Sequence, residues 1–138
     1  MVVLVPYDGS QPAQQAVEYA IDNCGVQPIV LLRVIEFADG SLEAGVDLIK
    51  ERLKESREEG AAELSDELLE TLNDSTVDYD VETVVGKPAR EIVEFAEAND
   101  ISQIVIGSHG RTGASRVLLG SVAQTVVRRA PTPVTVVR

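Results

Sequence analysis

The chain has 138 residues, 44% of them hydrophobic, which is enough for one domain, 1–138, with a buried core. Twelve basic residues against 23 acidic ones give a net charge of −11, which argues against nucleic acid or an anionic membrane as a partner. The sequence has neither an apolar run long enough to span a membrane nor the features of a signal peptide. One cysteine and one histidine exclude an internal disulfide and a His–His metal pair. We therefore expect a soluble, cytoplasmic protein.

The charge is unevenly distributed along the chain. Residues 36–100 hold 20 acidic and 6 basic residues, whereas residues 101–138 hold five arginines and no acid. An acid-free final third in an acidic protein indicates a local site for an anion, although a smaller number of exposed positions would give the same pattern. Only three lysines accompany the 23 acids, and this composition is typical either of a salt-loving source or of an ordinary acidic cytoplasmic protein.

Five short runs rich in valine, isoleucine and leucine are predicted to form strands. Such nearly continuous apolar runs are typical of parallel strands, because these are buried on both faces. The runs are Val2–Pro6, Ile29–Ile35, Val77–Val85, Ile101–Ile106 and Val134–Val137.

Segments with helical spacing of apolar residues separate these runs. They cover residues 10–25, 46–72, 88–99 and 120–129, and Gly60 weakens or splits the second. Because strands and helices alternate and crossovers are right-handed, the sequence predicts an α/β fold with a doubly wound, five-stranded parallel sheet and helices on both faces.

Two segments follow strands at the edge where such sheets bind ligands. The first is Pro6-Tyr7-Asp8-Gly9-Ser10. The second is Gly107-Ser108-His109-Gly110, which precedes a helix that begins at Gly120-Ser121. Glycines let backbone N–H groups approach an anion, and a helix N-terminus attracts one, so the second segment is typical of a phosphate site or of a plain strand-to-helix loop. It matches neither the Walker loop nor the dinucleotide fingerprint.

The spacing of these glycines resembles a known signature. Gly107-x-x-Gly110, nine residues and then Gly120-Ser121 are similar to the nucleotide-binding motif of those universal stress proteins that bind ATP. Three further segments resemble the same family: Val2–Ser10, Gly86-Lys87-Pro88 and Ala130–Val137. The resemblance covers the whole chain and implies a Rossmann-like fold of the adenine nucleotide alpha hydrolase type.

The resemblance also implies roles for individual residues. Pro6 and Asp8 would contact the adenosine, Val34 would read the adenine edge, and Ile106 and Gly107 would flank the ribose or the α-phosphate. Gly110, Gly120, Ser121 and Val122 would hold the phosphates, and Arg111 lies in the stretch between the glycines that varies in the family. The implied cofactor is ATP, with any Mg²⁺ held by phosphates and water, and the implied assembly is a homodimer through the C-terminal strand.

Each of these residues also has a simpler interpretation. Asp8 can cap the turn beside Ser10, Val34 can be a core residue, and His109 can be a hydrogen-bonding loop residue. Since His109 lacks a carboxylate partner in the motif, we assign no catalytic residue. The favoured function is a dimeric ATP-binding module in a stress response or in signalling, with little or no hydrolysis. The alternatives are an adapter that acts through protein contacts and a slow ATP-hydrolysing or adenylating enzyme.

Overall fold

A computed structural model describes residues 1–25, 27–36, 66–108 and 119–138. Strands and helices alternate through these segments. In chain order they are β1 (Val2–Pro6), α1 (Gln11–Asn23), β2 (Ile29–Ile35), α2 (Asp66–Asp74), β3 (Tyr79–Val85), α3 (Pro88–Ala98), β4 (Ile101–Gly107), α4 (Ser121–Arg129) and β5 (Val134–Val137). The predicted second helix lies mostly outside the described residues, and α2 contains its final part.

The five strands form one sheet in the order β3-β2-β1-β4-β5, and every neighbouring pair is parallel. This confirms the predicted doubly wound α/β fold. The strand order reverses beside β1, because the chain moves outward to β2 and β3 and then returns to β4 on the other side of β1. Ligands of such sheets bind in the crevice at this reversal, beyond the carboxyl ends of the strands.

Helices cover both faces of the sheet and bury a separate apolar core on each. On one face α1 and α2 pack over Val3 and Val5 of β1, and on the other α3 and α4 pack over Leu4. Successive side chains of a strand point to opposite faces, so β1, which is apolar throughout, contributes to both cores. Within the described ranges, no helix is long and apolar enough to cross a membrane.

The two edges of the sheet differ in charge. Asp78, directly before β3, and Asp80 and Glu82 within it are all exposed. β5 contains no charged residue. Charged side chains on an edge strand prevent it from pairing with another chain, so β3 is protected in a way that β5 is not.

The hydrogen bonds of β5 show which of its backbone groups point outward. The carbonyl oxygens of Pro133 and Val137 accept from the N–H groups of Ile104 and Ser108, each at 2.9 Å. Because consecutive residues of a strand direct their backbone groups to opposite sides, those of Val134 and Val136 point away from β4.

Candidate functional site

A cavity of about 390 Å³ lies at the reversal of strand order, beyond the carboxyl ends of β1 and β4. Eight of the ten predicted site residues line it: Pro6, Asp8, Val34, Ile106, Gly107, Gly120, Ser121 and Val122. The other two, Gly110 and Arg111, lie outside the described residues, as does His109. The fold therefore places residues that are far apart in sequence around one space, and their contacts with a ligand remain predictions.

One end of the cavity is apolar. Leu32 and Val34 of β2, Ile106 of β4 and Ile92 of α3 line it, and Pro88 at the start of α3 adjoins them. Leu32, Ile92 and Ile106 are buried, and the same side chains belong to the core beneath α3 and α4. This end can accept a flat, weakly polar ring such as a nucleobase.

Asp8 shapes the turn that leads from β1 into α1. Its Oδ1 accepts a hydrogen bond from the Ser10 backbone N–H at 2.9 Å, and the Ser10 hydroxyl accepts from the Ala13 N–H at 3.2 Å. The interpretation of Asp8 as a turn residue is therefore confirmed. A carboxylate can accept about four hydrogen bonds, so this role is compatible with a ligand contact.

The N-terminus of α4 opens onto the cavity without a side-chain cap. Its N-cap, Gly120, is extended, with φ −63° and ψ 159°. The first helical hydrogen bond runs from the Gln124 N–H to the Gly120 carbonyl, at 3.0 Å. The N–H groups of Ser121, Val122 and Ala123 therefore have no acceptor within the helix, and all three residues line the cavity.

The Gly120 N–H itself has a partner within the chain. It donates to the Ser108 carbonyl oxygen at 2.7 Å. Among the described backbone groups, the donors suited to an anion are therefore those of Ser121 to Ala123, and Gly120 positions them by holding the start of the helix.

Gly107 has a packing role that the sequence does not reveal. A Cβ at this position would lie 2.7 Å from the Pro12 carbonyl carbon and 2.8 Å from its oxygen. The absence of a side chain lets the end of β4 lie directly against the first turn of α1. The end of β4 and the start of α1, which both border the cavity, therefore stay close together.

Sequence reasoning missed several residues that line the cavity. They are Ala13, Leu32, Pro88, Ile92, Leu119 and Ala123, whereas Tyr7, Ser10 and Ser108 belong to the two candidate segments but were given no role of their own. Leu32 could have been found from Val34, since residues two apart in a strand share a face. Pro88 was already part of the Gly86-Lys87-Pro88 motif, which was not connected with the site.

Charge is sparse in the described lining. Asp8 is the one acidic residue in the described lining, which contains no lysine, arginine or histidine. The positive end of the α4 dipole faces the same space. The described residues contain no group of three or more His, Cys, Asp or Glu side chains that could hold a metal ion. The described part of the site therefore offers backbone donors, one carboxylate and an apolar wall.

Comparison with known proteins agrees with this architecture. The model of the universal stress protein family matches residues 1–138. A universal stress protein of Methanocaldococcus jannaschii is 36% identical over 141 residues, which covers 99% of this chain and 81% of that protein.

Solved structures of the same family share the fold. The universal stress protein UspA of Lactobacillus plantarum superposes with a TM-score of 0.78 at 25% identity and covers 100% of this chain and 97% of its own. A universal stress protein solved in complex with cAMP gives 0.71 at 24% identity and covers 100% and 97%. The order of the strands, the helices on both faces and the whole-chain match lead to one conclusion: the chain belongs to the universal stress protein family.

Proposed function

We propose that this protein is a dimeric ATP-binding module of a stress response or of signalling, with little or no hydrolysis. The observation that carries the proposal is the open N-terminus of α4 at the mouth of a partly apolar cavity. α1 begins at the same cavity but is capped by its own Ser10. The uncapped N–H groups at the start of α4 are therefore available to an external anion.

Different groups of lining residues suit the adenine, the hydroxyl groups of the adenosine and the phosphates of a nucleotide. The apolar end around Leu32, Val34 and Ile92 would take the adenine, and Asp8 would accept from hydroxyl groups of the adenosine. The N–H groups of Ser121 and Val122 would then meet the phosphates. The cavity volume of about 390 Å³ lies within the range of small-molecule sites.

Relatives support an adenine nucleotide as the ligand class. One universal stress protein was solved in complex with cAMP, and another, from Archaeoglobus fulgidus, in complex with dAMP. These structures are 24% and 21% identical to this chain. At that distance their ligands support adenine nucleotides as a class and do not select one nucleotide. The choice of ATP comes from the resemblance of the glycine spacing over residues 107–121 to the motif of those universal stress proteins that bind ATP.

Hydrolysis requires a water or a base positioned at the terminal phosphate. In the described lining Asp8 is the one carboxylate, and its Oδ1 accepts from the Ser10 N–H in the turn. The residues present fit a Mg²⁺ ion only through the phosphates and water that would surround it. We therefore expect any hydrolysis to be far slower than the roughly 1–100 s⁻¹ typical of kinases.

The decisive experiment removes one backbone donor without disturbing the helix. Proline is well tolerated at the first helical position, and the extended Gly120 is a suitable residue to precede it. Ser121→Pro deletes both the hydroxyl and the N–H, whereas the matched control Ser121→Ala deletes the hydroxyl alone. By calorimetry we expect Ser121→Pro to bind ATP about tenfold more weakly than Ser121→Ala, since one hydrogen bond to a charged group contributes about 1.5–3 kcal/mol.

Two results would contradict the proposed nucleotide site. If the proline and alanine variants bind ATP equally, the α4 N-terminus does not hold the phosphates. If the wild-type protein binds no adenine nucleotide and none copurifies with it, the adapter function becomes the better explanation.

The dimer is proposed from the difference between the two sheet edges. The outward backbone groups of Val134 and Val136 are available for antiparallel pairing with a second β5, whereas acidic side chains protect β3. We expect an interface of about 1,600 Å², the standard size for a specific complex. Sedimentation at micromolar concentration that detects only monomer would contradict it.

A further inference from the structure

Ser108 connects the candidate site to the edge of the sheet through both of its backbone groups. Its N–H donates to the Val137 carbonyl oxygen at 2.9 Å, and its carbonyl oxygen accepts from the Gly120 N–H at 2.7 Å. The residue is only 7% exposed, so water does not compete strongly for either bond. One buried residue therefore joins the last residue of β5 to the N-cap of α4.

The hydrogen bond from Gly120 to Ser108 positions the start of α4 at the candidate site. Gly120 fixes where α4 begins, and the next three residues, whose N–H groups have no acceptor within the helix, line the cavity. A phosphate bound by those groups would hold the start of the helix in place. It would thereby favour the bond from Gly120 to Ser108.

The hydrogen bond from Ser108 to Val137 positions the end of β5 at the edge of the sheet. It is the last bond of the β4–β5 ladder and keeps the end of β5 extended against Gly107. The outward groups of the adjacent Val136 can pair with a second chain only while this end of the strand is held extended. A fixed Ser108 therefore favours a β5 edge that is ready to pair.

We propose that Ser108 couples nucleotide binding to pairing of the β5 edges, so that each event strengthens the other. The inference rests on the proposed nucleotide site and on the proposed dimer. Coupling between two binding events is reciprocal, so the factor by which nucleotide tightens the dimer equals the factor by which dimerisation tightens nucleotide binding. We expect this factor to be about tenfold, within the roughly 5–150-fold range of such couplings.

Sedimentation of the wild-type protein across a dilution series measures the first factor. We expect saturating ATP to lower the dimer dissociation constant about tenfold, whereas saturating adenosine, which lacks the phosphates, leaves it unchanged. If ATP binds but the dimer dissociation constant stays the same, the coupling is wrong while the proposed nucleotide site stands. If adenosine acts as strongly as ATP, the route through α4 and Ser108 is wrong.

Val136→Pro measures the second factor. It removes an outward N–H at the β5 edge and leaves the Val137 carbonyl in place, and proline is tolerated where an edge N–H faces outward. We expect a monomer that binds ATP about tenfold more weakly than the wild-type dimer and binds adenosine equally well. A Val136→Pro variant that dimerises like the wild type would overturn the inference.

The matched control is Val81→Pro on the opposite edge. The Asp78 carbonyl accepts from Ile29 of β2, so the Val81 N–H points away from β2 by the same alternation. Val81→Pro therefore introduces the same substitution at an edge that has no link to Ser108. We expect the dimer dissociation constant and the ATP affinity of Val81→Pro to equal those of the wild type. If Val81→Pro weakens both as much as Val136→Pro does, the coupling does not depend on β5 and the inference is wrong.

Discussion

Gly107 and Pro12 are packed so closely that position 107 has no room for a methyl group. A Cβ there would lie 2.7 Å from the Pro12 carbonyl carbon and 2.9 Å from the Pro12 Cβ. The contact joins the end of β4 to the first turn of α1, and both lie beside the candidate site. Its consequence is testable through stability.

Gly107→Ala is expected to lower the free energy of unfolding by about 1–3 kcal/mol, because an added methylene in a packed region forces the backbone to shift. The measurement is chemical denaturation of the variant and the wild type. We also expect weaker nucleotide binding, because α1 and β4 both border the cavity. Equal stability would show that α1 can move away from β4 at little cost.

Gly25 provides a control for the general cost of replacing glycine. A Cβ at Gly25 would meet nothing within 4 Å, but its φ of +68° lies in the left-handed region. Gly25→Asn is therefore expected to be milder than Gly25→Ala, since asparagine tolerates this conformation. At position 107, where space is the constraint, asparagine is expected to be worse than alanine.

The second prediction separates the two roles of Asp8. Asp8→Asn keeps a side-chain oxygen that can accept from the Ser10 N–H, whereas Asp8→Ala removes the acceptor. We expect asparagine to preserve thermal stability and alanine to cost about 0.5–1.5 kcal/mol. Both variants are expected to bind adenosine about tenfold more weakly, because hydrogen bonds to a charged group are the stronger ones.

Calorimetry with adenosine and thermal denaturation measure these two effects independently. If Asp8→Asn binds adenosine as tightly as the wild type, Asp8 acts only in the turn. Equal stability of the two variants would instead show that the Ser10 hydrogen bond contributes little to the fold.

The third prediction is that a better helix cap will impair the site. Gly120→Ser places a hydroxyl where it can accept from the N–H groups of the first turn of α4, as Ser10 does for α1. We expect stability to rise by a few tenths of a kcal/mol and ATP affinity to fall about two- to fivefold. The hydroxyl would compete with phosphate for the same donors.

Gly120→Ala is the matched control for this substitution. It adds a Cβ without a capping oxygen, and alanine is a poor N-cap. We expect it to be less stable than Gly120→Ser and to bind ATP more tightly. If serine and alanine at this position give the same ATP affinity, competition at the helix terminus is not the cause of any loss.

The strands show how far sequence can determine such a fold. Three predicted strands, Val2–Pro6, Ile29–Ile35 and Val134–Val137, have the bounds that the structure gives them. Each is a short run made up mainly of valine, leucine and isoleucine. The predicted start at Val77 is wrong by two residues, because the Val77 N–H donates to the Ser75 hydroxyl, in the turn after α2, at 3.4 Å.

The site was less accessible to sequence reasoning than the fold. Glycine spacing indicated Gly107 and Gly120, but their observed roles depend on partners distant in sequence. Gly107 is required by contact with Pro12, and Gly120 donates to Ser108. No local pattern reports such contacts, because they exist only once β4, α1 and α4 have packed together.

The fourth prediction concerns salt. Residues 36–100 carry 20 acidic and 6 basic residues, and the exposed carboxylates of Asp78, Asp80 and Glu82 lie close together along one edge. Salt screens their repulsion, because the Debye length falls from about 10 Å at about 0.1 M salt to about 3 Å at about 1 M. We expect the melting temperature to rise with KCl.

Asp80→Asn combined with Glu82→Gln tests the origin of that salt effect. The double variant carries two fewer negative charges at the β3 edge, so its melting temperature is expected to rise less over the same KCl range. A wild-type melting temperature that does not change with KCl would contradict both the repulsion argument and the hypothesis of a salt-loving source.

The acidic side chains of β3 also limit how far the protein can assemble. Pairing through β5 would join two five-stranded sheets edge to edge and would use the uncharged edge of each chain. Both outer borders of the combined sheet would then be copies of β3, each with Asp80 and Glu82 in the strand and Asp78 directly before it. Further strands approaching either border would meet carboxylates of the same sign. The same strand that ends the sheet of one chain would thus prevent the dimer from growing into a fibre.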